Sequence, residues 1–160
     1  MAYSCLLYTS NRFLAYYASA PVDYTMYYTS MTGTEMGQPL SEQIYQAETE
    51  IIRKLAARSS CIIVGRCADH ILAEEPGLIN VFITASKADR IKRIAERYNL
   101  TEHKAADRIK KVDRERRYYY ELHTGKDWGS IDSHDMFLNV SMLGIDGAVD
   151  VLEALFRAKK

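Results

Sequence analysis

The sequence predicts an α/β fold in which a parallel sheet carries helices on both faces. Segments with the apolar periodicity of helices alternate along the chain with short apolar runs. Those runs, at 61–64, 78–85 and 136–140, are mostly continuous and do not alternate with polar residues. A continuous apolar run is typical of a strand buried on both faces, as in a parallel sheet covered by helices.

The first predicted helix spans 42–58 and leads into the strand at 61–64. Ser41 suits the N-cap position, and Glu42 favours the first turn. The predicted inner face of the helix consists of Ile44, Ala47, Ile51, Ile52, Leu55 and Ala56.

A Gly-Arg pair follows the strand at 61–64. Gly65 removes the side chain where the strand must turn, and Arg66 emerges at the carboxyl end, before a short helix predicted at 67–73. Ligands bind at that edge of open α/β sheets, and a guanidinium group suits phosphate. A tight turn beside a surface charge would give the same two residues, so both interpretations stand.

Two helices follow the second strand, at 78–85. Ser86 caps a helix over 87–98, Asn99 breaks it, and the next helix runs from 102 to about 122. The predicted inner faces are Ile91, Ile94 and Ala95 in one helix, and Ala105, Ala106, Ile109 and Val112 in the other.

The chain ends with a third strand and a last helix. Thr124 and Gly125 terminate the preceding helix, and a loop containing Trp128 leads to the strand at 136–140. The last helix is predicted at 145–158, with Val149, Leu152 and Leu155 facing inward.

Composition limits the classes of function. A chain of 160 residues forms one domain, and its 21 basic and 21 acidic residues give no overall preference for nucleic acid. Three cysteines without C-x-x-C spacing favour a reduced, cytoplasmic chain over a disulfide framework or a zinc site. No apolar run reaches membrane-spanning length, so we expect a soluble protein with no membrane partner.

Residues 1–40 differ from the α/β domain predicted at 41–160. Seven tyrosines lie in this atypical segment, acidic residues are scarce, and proline and glycine interrupt the pattern. The only element predicted in this segment is a short helix that ends before Pro21.

Positive charge is concentrated between residues 87 and 117, where twelve basic residues outnumber six acidic ones. Lys110, Asp113, Arg114 and Arg117 follow helical spacing and share a face, so Asp113 can hold one arginine while others reach outward. Several arginines that converge on one point suit phosphoryl transfer. An ordinary salt-bridged helix surface would give the same pattern, and this alternative stays open.

Four stretches together resemble the cytidylate kinase-like family, whose members are P-loop proteins similar to nucleoside monophosphate kinases. The resemblance covers about residues 38–157 and rests on CIIVGRCADHIL, INVFITASKADRIKRIAERYNLT, RIKKVDRERRYYYELHTGKDWG and HDMFLNVSMLGIDGAVDVL. It implies a three-layer P-loop kinase-like fold with a parallel sheet between two layers of helices. It also implies transfer of the ATP γ-phosphoryl group, with Mg²⁺, to a nucleoside monophosphate or similar acceptor.

The resemblance also implies roles for individual residues. VGRCAD at 64–69 stands where cytidylate kinases carry a Gly-Arg-Asp element that contacts the acceptor nucleotide. Gly65 and Arg66 match that element, Cys67 replaces its aspartate, and Asp69 and Lys110 are the further acceptor-binding candidates.

The segment at about 101–122 resembles the basic lid that closes over the phosphates. Asp113, Arg114 and Arg117 would take the catalytic lid roles by this likeness. SMLGIDGAVDVL resembles the segment near the adenine of ATP.

One departure from the family is large. The chain has no G-x-x-x-x-G-K-[ST] motif, and the central first strand is missing or replaced by residues near the N-terminus. CLLYTS at 5–10 is what the mosaic end of a transposase sequencing adapter encodes. We therefore expect that about residues 1–10 are an artefact, that the parent kinase is truncated here, and that this chain is inactive.

Two other functions remain open. The chain would be a non-catalytic nucleotide-binding or interaction module if it kept only the acceptor site. Alternatively, the basic helices at 87–117 would bind a nucleic-acid backbone, although the balanced overall charge makes nucleic acid the less favoured partner.

Overall fold

The computed structural model describes residues 40–159, which fall into two compact units, 40–72 and 73–159. Each unit is described by itself. The interpretations of the atypical N-terminal segment, the adapter-like stretch and the replaced central strand all lie outside the described residues.

Helix α1, Leu40–Arg58, is the main element of the first unit. It begins before the predicted N-cap, so Ser41 lies within its first turn. Ile52 is buried at 2% exposure, as predicted, whereas Ile44 is 48% exposed. The buried face of α1 therefore includes Ile52 and the half-buried Thr49 but not Ile44.

Residues 61–64 do not form the predicted buried strand. They have no ladder with any described residue, and Cys61 and Ile62 are exposed. A strand requires a hydrogen-bonded neighbour, which the continuous apolar pattern alone cannot supply. Only Val64, at the end of the run, is buried.

The second helix of this unit, α2, is a single turn at Ala68–Ile71 and is shorter than the predicted 67–73. Cys67, Ala68 and Leu72 are buried around it. These side chains fix the turn that precedes the helix.

The second unit contains a parallel pair of strands, β1 at Val81–Thr84 and β2 at Met136–Asn139. The register pairs Val81 with Met136 and Thr84 with Asn139. The prediction of parallel strands is confirmed for this pair, although both strands are shorter than the apolar runs. Within residues 40–159 the protein is a mixed α/β chain with a small two-stranded parallel sheet.

Helices α3, Lys87–Tyr98, and α4, Glu102–Thr124, form a packed hairpin. The predicted cap at Ser86 is confirmed, because its side chain accepts a hydrogen bond from the Asp89 amide. The Thr101 side chain, which was not predicted as a cap, accepts a hydrogen bond from the Lys104 amide in the same way. The hairpin core contains Ile94, Ala105 and Ile109, with Ile91, Ala95 and Leu100 packed against it.

The last helix, α5, spans Val140–Ala158 and is broken at Gly144, whose φ of 72° is not helical. The predicted start at 145 corresponds to this break. Ala148 is buried and Val149 is 54% exposed, so the prediction that Val149 faces inward is wrong. The helix contacts both strands.

A short 3₁₀ turn, Ile131–Ser133, precedes β2. From residue 40 to residue 159, every helix is too short or too polar to cross a membrane.

Candidate functional site

The predicted Gly-Arg turn has an unusual backbone. Gly65, Arg66 and Cys67 have φ values of 71°, 58° and 55°, so three consecutive residues are left-handed. This conformation is unfavourable for residues with a Cβ atom, and strained residues are concentrated at functional sites. Burial of Val64 and Cys67 and the hydrogen bond from the Ala68 amide to the Gly65 carbonyl (3.1 Å) hold the turn.

Arg66 is anchored by an acid that the sequence analysis did not identify. Its Nη1 atom lies 3.2 Å from Oε1 of Glu48 on α1, and the two side chains are only 16% and 23% exposed. The available signal was an acidic residue one turn before Ile52, on the buried side of an amphipathic helix. The third predicted member of this group, Asp69, is half-buried.

Cys67 is not a nucleophile in this environment. Burial raises the pKa of its thiol from the ordinary 9.0 to about 12, and the carboxylates of Asp69 and Glu48 act in the same direction. A protonated thiol is a poor nucleophile and a poor metal ligand. The residue therefore serves the packing of the turn.

The lid candidates lie on α4 in the second unit. Lys110, Arg114 and Arg117 are exposed and follow i, i+4, i+7 spacing, so they form one cationic strip. Arg117 is 3.9 Å from Glu121. No acidic group in the described part of the chain pairs with Lys110 or Arg114.

Asp113 faces the neighbouring helix. Its Oδ2 atom forms a close ion pair with Arg90 of α3, and its Oδ1 atom lies 4.0 Å from Arg116. The sequence predicted that Asp113 holds an arginine, and the arginine it holds most closely is Arg90. Burial lowers the pKa of Arg116; the charge of Asp113 opposes this effect and the charge of Arg90 adds to it.

A cleft of about 230 Å³ lies where the two parallel strands end. Its walls come from α3 and from the broken start of α5, and they include Asp89, Arg90, Arg93, Ser141 and Gly144. The carboxyl end of a parallel sheet is the usual position of a ligand in α/β folds. In the sequence, Arg90 and Arg93 are only part of a basic segment, because nothing local distinguishes them from its other cations.

Hydrogen bonds fix one corner of the cleft. The Ser86 amide donates to Oγ of Ser141 at 2.8 Å, and the Ser86 hydroxyl donates to Oδ2 of Asp89 at 2.8 Å. Hydrogen bonds from the Ser141 and Ser86 hydroxyls lower the pKa of the Asp89 carboxyl. The Asp89 carboxylate is therefore occupied by Ser86 and Ser141 in the wall of the cleft. The two arginines beside it suit an anionic ligand.

The cleft presents two guanidinium groups beside one carboxylate, and this lining suits an anion. Across residues 40–159, no group of three His, Cys, Asp or Glu side chains could hold a metal. The hydroxyl and lysine that the P-loop motif supplies to Mg²⁺ and phosphate are also missing from the sequence.

Comparison with known proteins supports a nucleotide kinase-like assignment. Residues 8–142 match the sequence profile of the cytidylate kinase-like family. The chain is also similar to the crystal structure of an uncharacterized protein from Eubacterium ventriosum ATCC 27560, with a TM-score of 0.69 and 26% identity. That likeness covers 88% of this chain and 76% of the other.

No curated protein matches the sequence. The family profile nevertheless spans most of the chain, including the Gly-Arg turn and the hairpin of α3 and α4. The chain belongs to the cytidylate kinase-like family.

Proposed function

We propose that this chain has the architecture of a phosphotransferase that moves the γ-phosphoryl group of ATP to a nucleoside monophosphate or similar phosphorylated acceptor. Family membership indicates a nucleotide kinase-like function. The observation that carries the proposal is the arginine-lined cleft at the carboxyl ends of β1 and β2. The proposal includes the three-layer P-loop kinase-like arrangement around the parallel sheet.

In this proposal the cleft binds ATP. Arg90 and Arg93 would contact its phosphates, and the segment from Ser141 to Gly144 would lie near the adenine. Gly144 has a left-handed backbone, and a Cβ atom there would meet nothing within 4 Å, so the helix break leaves open space at the cleft. ATP would supply the transferable phosphoryl group when bound.

The acceptor would bind at the Gly-Arg turn. Arg66, held by Glu48, would present a planar pair of donors to the acceptor phosphate, with Gly65 permitting close approach of the backbone. Asp69 would contact the acceptor from the next turn. The exposed strip of Lys110, Arg114 and Arg117 would bind and stabilise the transferring group.

We propose further that the 160-residue chain binds nucleotides but transfers little or no phosphoryl. Without the G-x-x-x-x-G-K-[ST] motif it lacks the backbone amides, lysine and Mg²⁺-binding hydroxyl that hold the β- and γ-phosphates. Binding by arginine side chains does not replace that cradle in positioning the reacting phosphoryl group.

A coupled ADP-release assay with CMP, UMP, dCMP and AMP, together with calorimetric titration of ATP and CMP, tests both parts. We expect saturable binding without turnover. Turnover above background would refute the predicted inactivity, and absence of binding by every nucleotide would refute the proposal.

Nucleic-acid backbone binding is the second candidate, favoured by exposed cations on α4 such as Lys104, Arg108 and Lys111. Phosphate backbone contacts would give steep salt dependence with a short oligonucleotide. One of these cations, Lys111, lies 3.9 Å from Glu115 on the same helix, and this pairing favours the nucleotide proposal.

A further inference from the structure

We infer that Asp113 is a positioning residue: from α4 it holds the guanidinium of Arg90 in place at the edge of the cleft, so that Arg90 meets an incoming polyphosphate already oriented. This inference rests on the proposed function, since it concerns the same cleft. It assigns Asp113 a different role from the catalytic one suggested by family resemblance.

The geometry of the pair carries the inference. Arg90 lines the cleft from the first turn of α3, and its side chain is 16% exposed. Asp113 lies 23 positions later on the neighbouring helix and is 24% exposed. An arginine side chain loses considerable rotamer entropy when it becomes ordered, and a partly buried carboxylate that fixes it in advance reduces that cost at the time of binding.

Charge balance makes the cluster receptive to an anion. One carboxylate, that of Asp113, lies between Arg90 and Arg116, so these three side chains carry a net positive charge. The Nε atom of Arg90 is buried and has no hydrogen-bond partner among residues 40–159. A phosphate that entered the cleft would bring negative charge to this net-positive cluster.

Positioning and simple electrostatics predict opposite signs for one substitution. Asp113→Asn removes a negative charge near the cleft, so electrostatics alone would strengthen the binding of a polyphosphate. If Asp113 acts by orienting Arg90, the same substitution weakens binding instead. Asp113→Glu keeps the charge but moves the carboxylate by one methylene, so only positioning predicts weaker binding for this variant.

The experiment is calorimetric titration of the full chain with ATP and with inorganic tripolyphosphate. We expect the Kd of Asp113→Asn to rise about tenfold, which corresponds to the loss of one charge-assisted hydrogen bond. The Kd of Asp113→Glu should also rise. In an Arg90→Ala background, Asp113→Asn should add no further change, because its effect passes through Arg90. Asp107→Asn, which makes the same change at an exposed site on α4, should not weaken binding.

Several results would overturn the inference. These are tighter binding by Asp113→Asn, unchanged binding by Asp113→Glu, an undiminished effect in the Arg90→Ala background, or equal weakening by Asp107→Asn. If the wild-type chain binds tripolyphosphate with the expected dependence but binds no nucleotide, the inference holds and the proposed function fails. If the wild-type chain binds neither ligand, both fail.

Discussion

Arg66 and Glu48 form an ion pair between the Gly-Arg turn and α1, with 3.2 Å between Nη1 and Oε1. Both side chains are mostly buried. Removal of one charge therefore leaves the other partly desolvated and without this ion pair. In an exposed pair, water solvates the charge that remains. This difference gives a test of how strongly the turn depends on the pair.

We expect Glu48→Gln to lower the free energy of unfolding by about 1–3 kcal/mol, because it weakens a charge-assisted contact to a partly buried guanidinium. Urea unfolding followed by circular dichroism measures the change. Glu50→Gln is the matched control on the same helix, since Glu50 pairs with Lys54 at 2.6 Å with both side chains about two-thirds exposed. No measurable loss is expected for the control, and equal losses would contradict a special role for Glu48.

The hairpin of α3 and α4 shows what local sequence can predict. The helix over 87–98 is predicted with its observed bounds, because its two end signals are local: Ser86 caps its start and Asn99 ends it. Gly125 likewise ends α4 through its left-handed backbone. Signals of this kind act over one turn, so they do not depend on the rest of the fold.

Contacts between elements are less accessible to sequence. The run at 61–64 has strand composition, yet strand formation depends on a neighbour that its own residues do not specify. The same limit explains why the roles of Glu48 and Arg90 were not predicted. Each is a charged residue of a kind common on helix surfaces. Its role appears only in the folded structure, where Glu48 contacts Arg66 and Arg90 contacts Asp113.

The αL residue at the end of α3 gives a second prediction. Asn99 has φ 50° and ψ 52°, is exposed, and caps the helix through its backbone amide. Asn99→Ala should lower the free energy of unfolding by about 1 kcal/mol, because alanine tolerates this conformation less well than asparagine. Asn99→Gly should remain within a few tenths of a kcal/mol of wild type, roughly, since glycine adopts it freely. Similar losses in thermal and urea unfolding for both variants would contradict a backbone origin.

The loop before β2 gives a third prediction. A Cβ atom on Gly129 would lie 2.9 Å from Cζ of Phe82. That ring is confined by Trp128 and Phe137, with ring centroids 5.7 Å and 5.2 Å away. Gly129→Ala should therefore combine a left-handed backbone penalty with displacement of a packed ring, and should cost about 2–4 kcal/mol in urea unfolding.

Gly125→Ala separates the two contributions. Gly125 also has a positive φ, 67°, but a Cβ atom there would meet nothing within 4 Å. It should lose only the backbone part, about 1–2 kcal/mol. If both variants lose the same amount, Phe82 moves aside without cost and the aromatic cluster does not confine it.

The buried thiol of Cys67 predicts how stability depends on alkaline pH. Burial raises its pKa from 9.0 to about 12 in the folded chain, so the folded state keeps a proton that the unfolded state loses above pH 9. The stabilisation from this group is complete below pH 9 and declines as pH rises from 9 toward 12.

Urea unfolding between pH 8 and pH 11, roughly, should show a steeper loss of stability in wild type than in Cys67→Ala. Alanine also carries a Cβ atom, so the left-handed backbone at this position is equally strained in both proteins, and other titrating groups are common to both. Cys61→Ala, at an exposed thiol whose pKa burial also raises, should change the slope less. Parallel curves for wild type and Cys67→Ala would mean that the thiol is accessible to solvent in the folded chain, and that the turn around Arg66 is more open than its burial indicates.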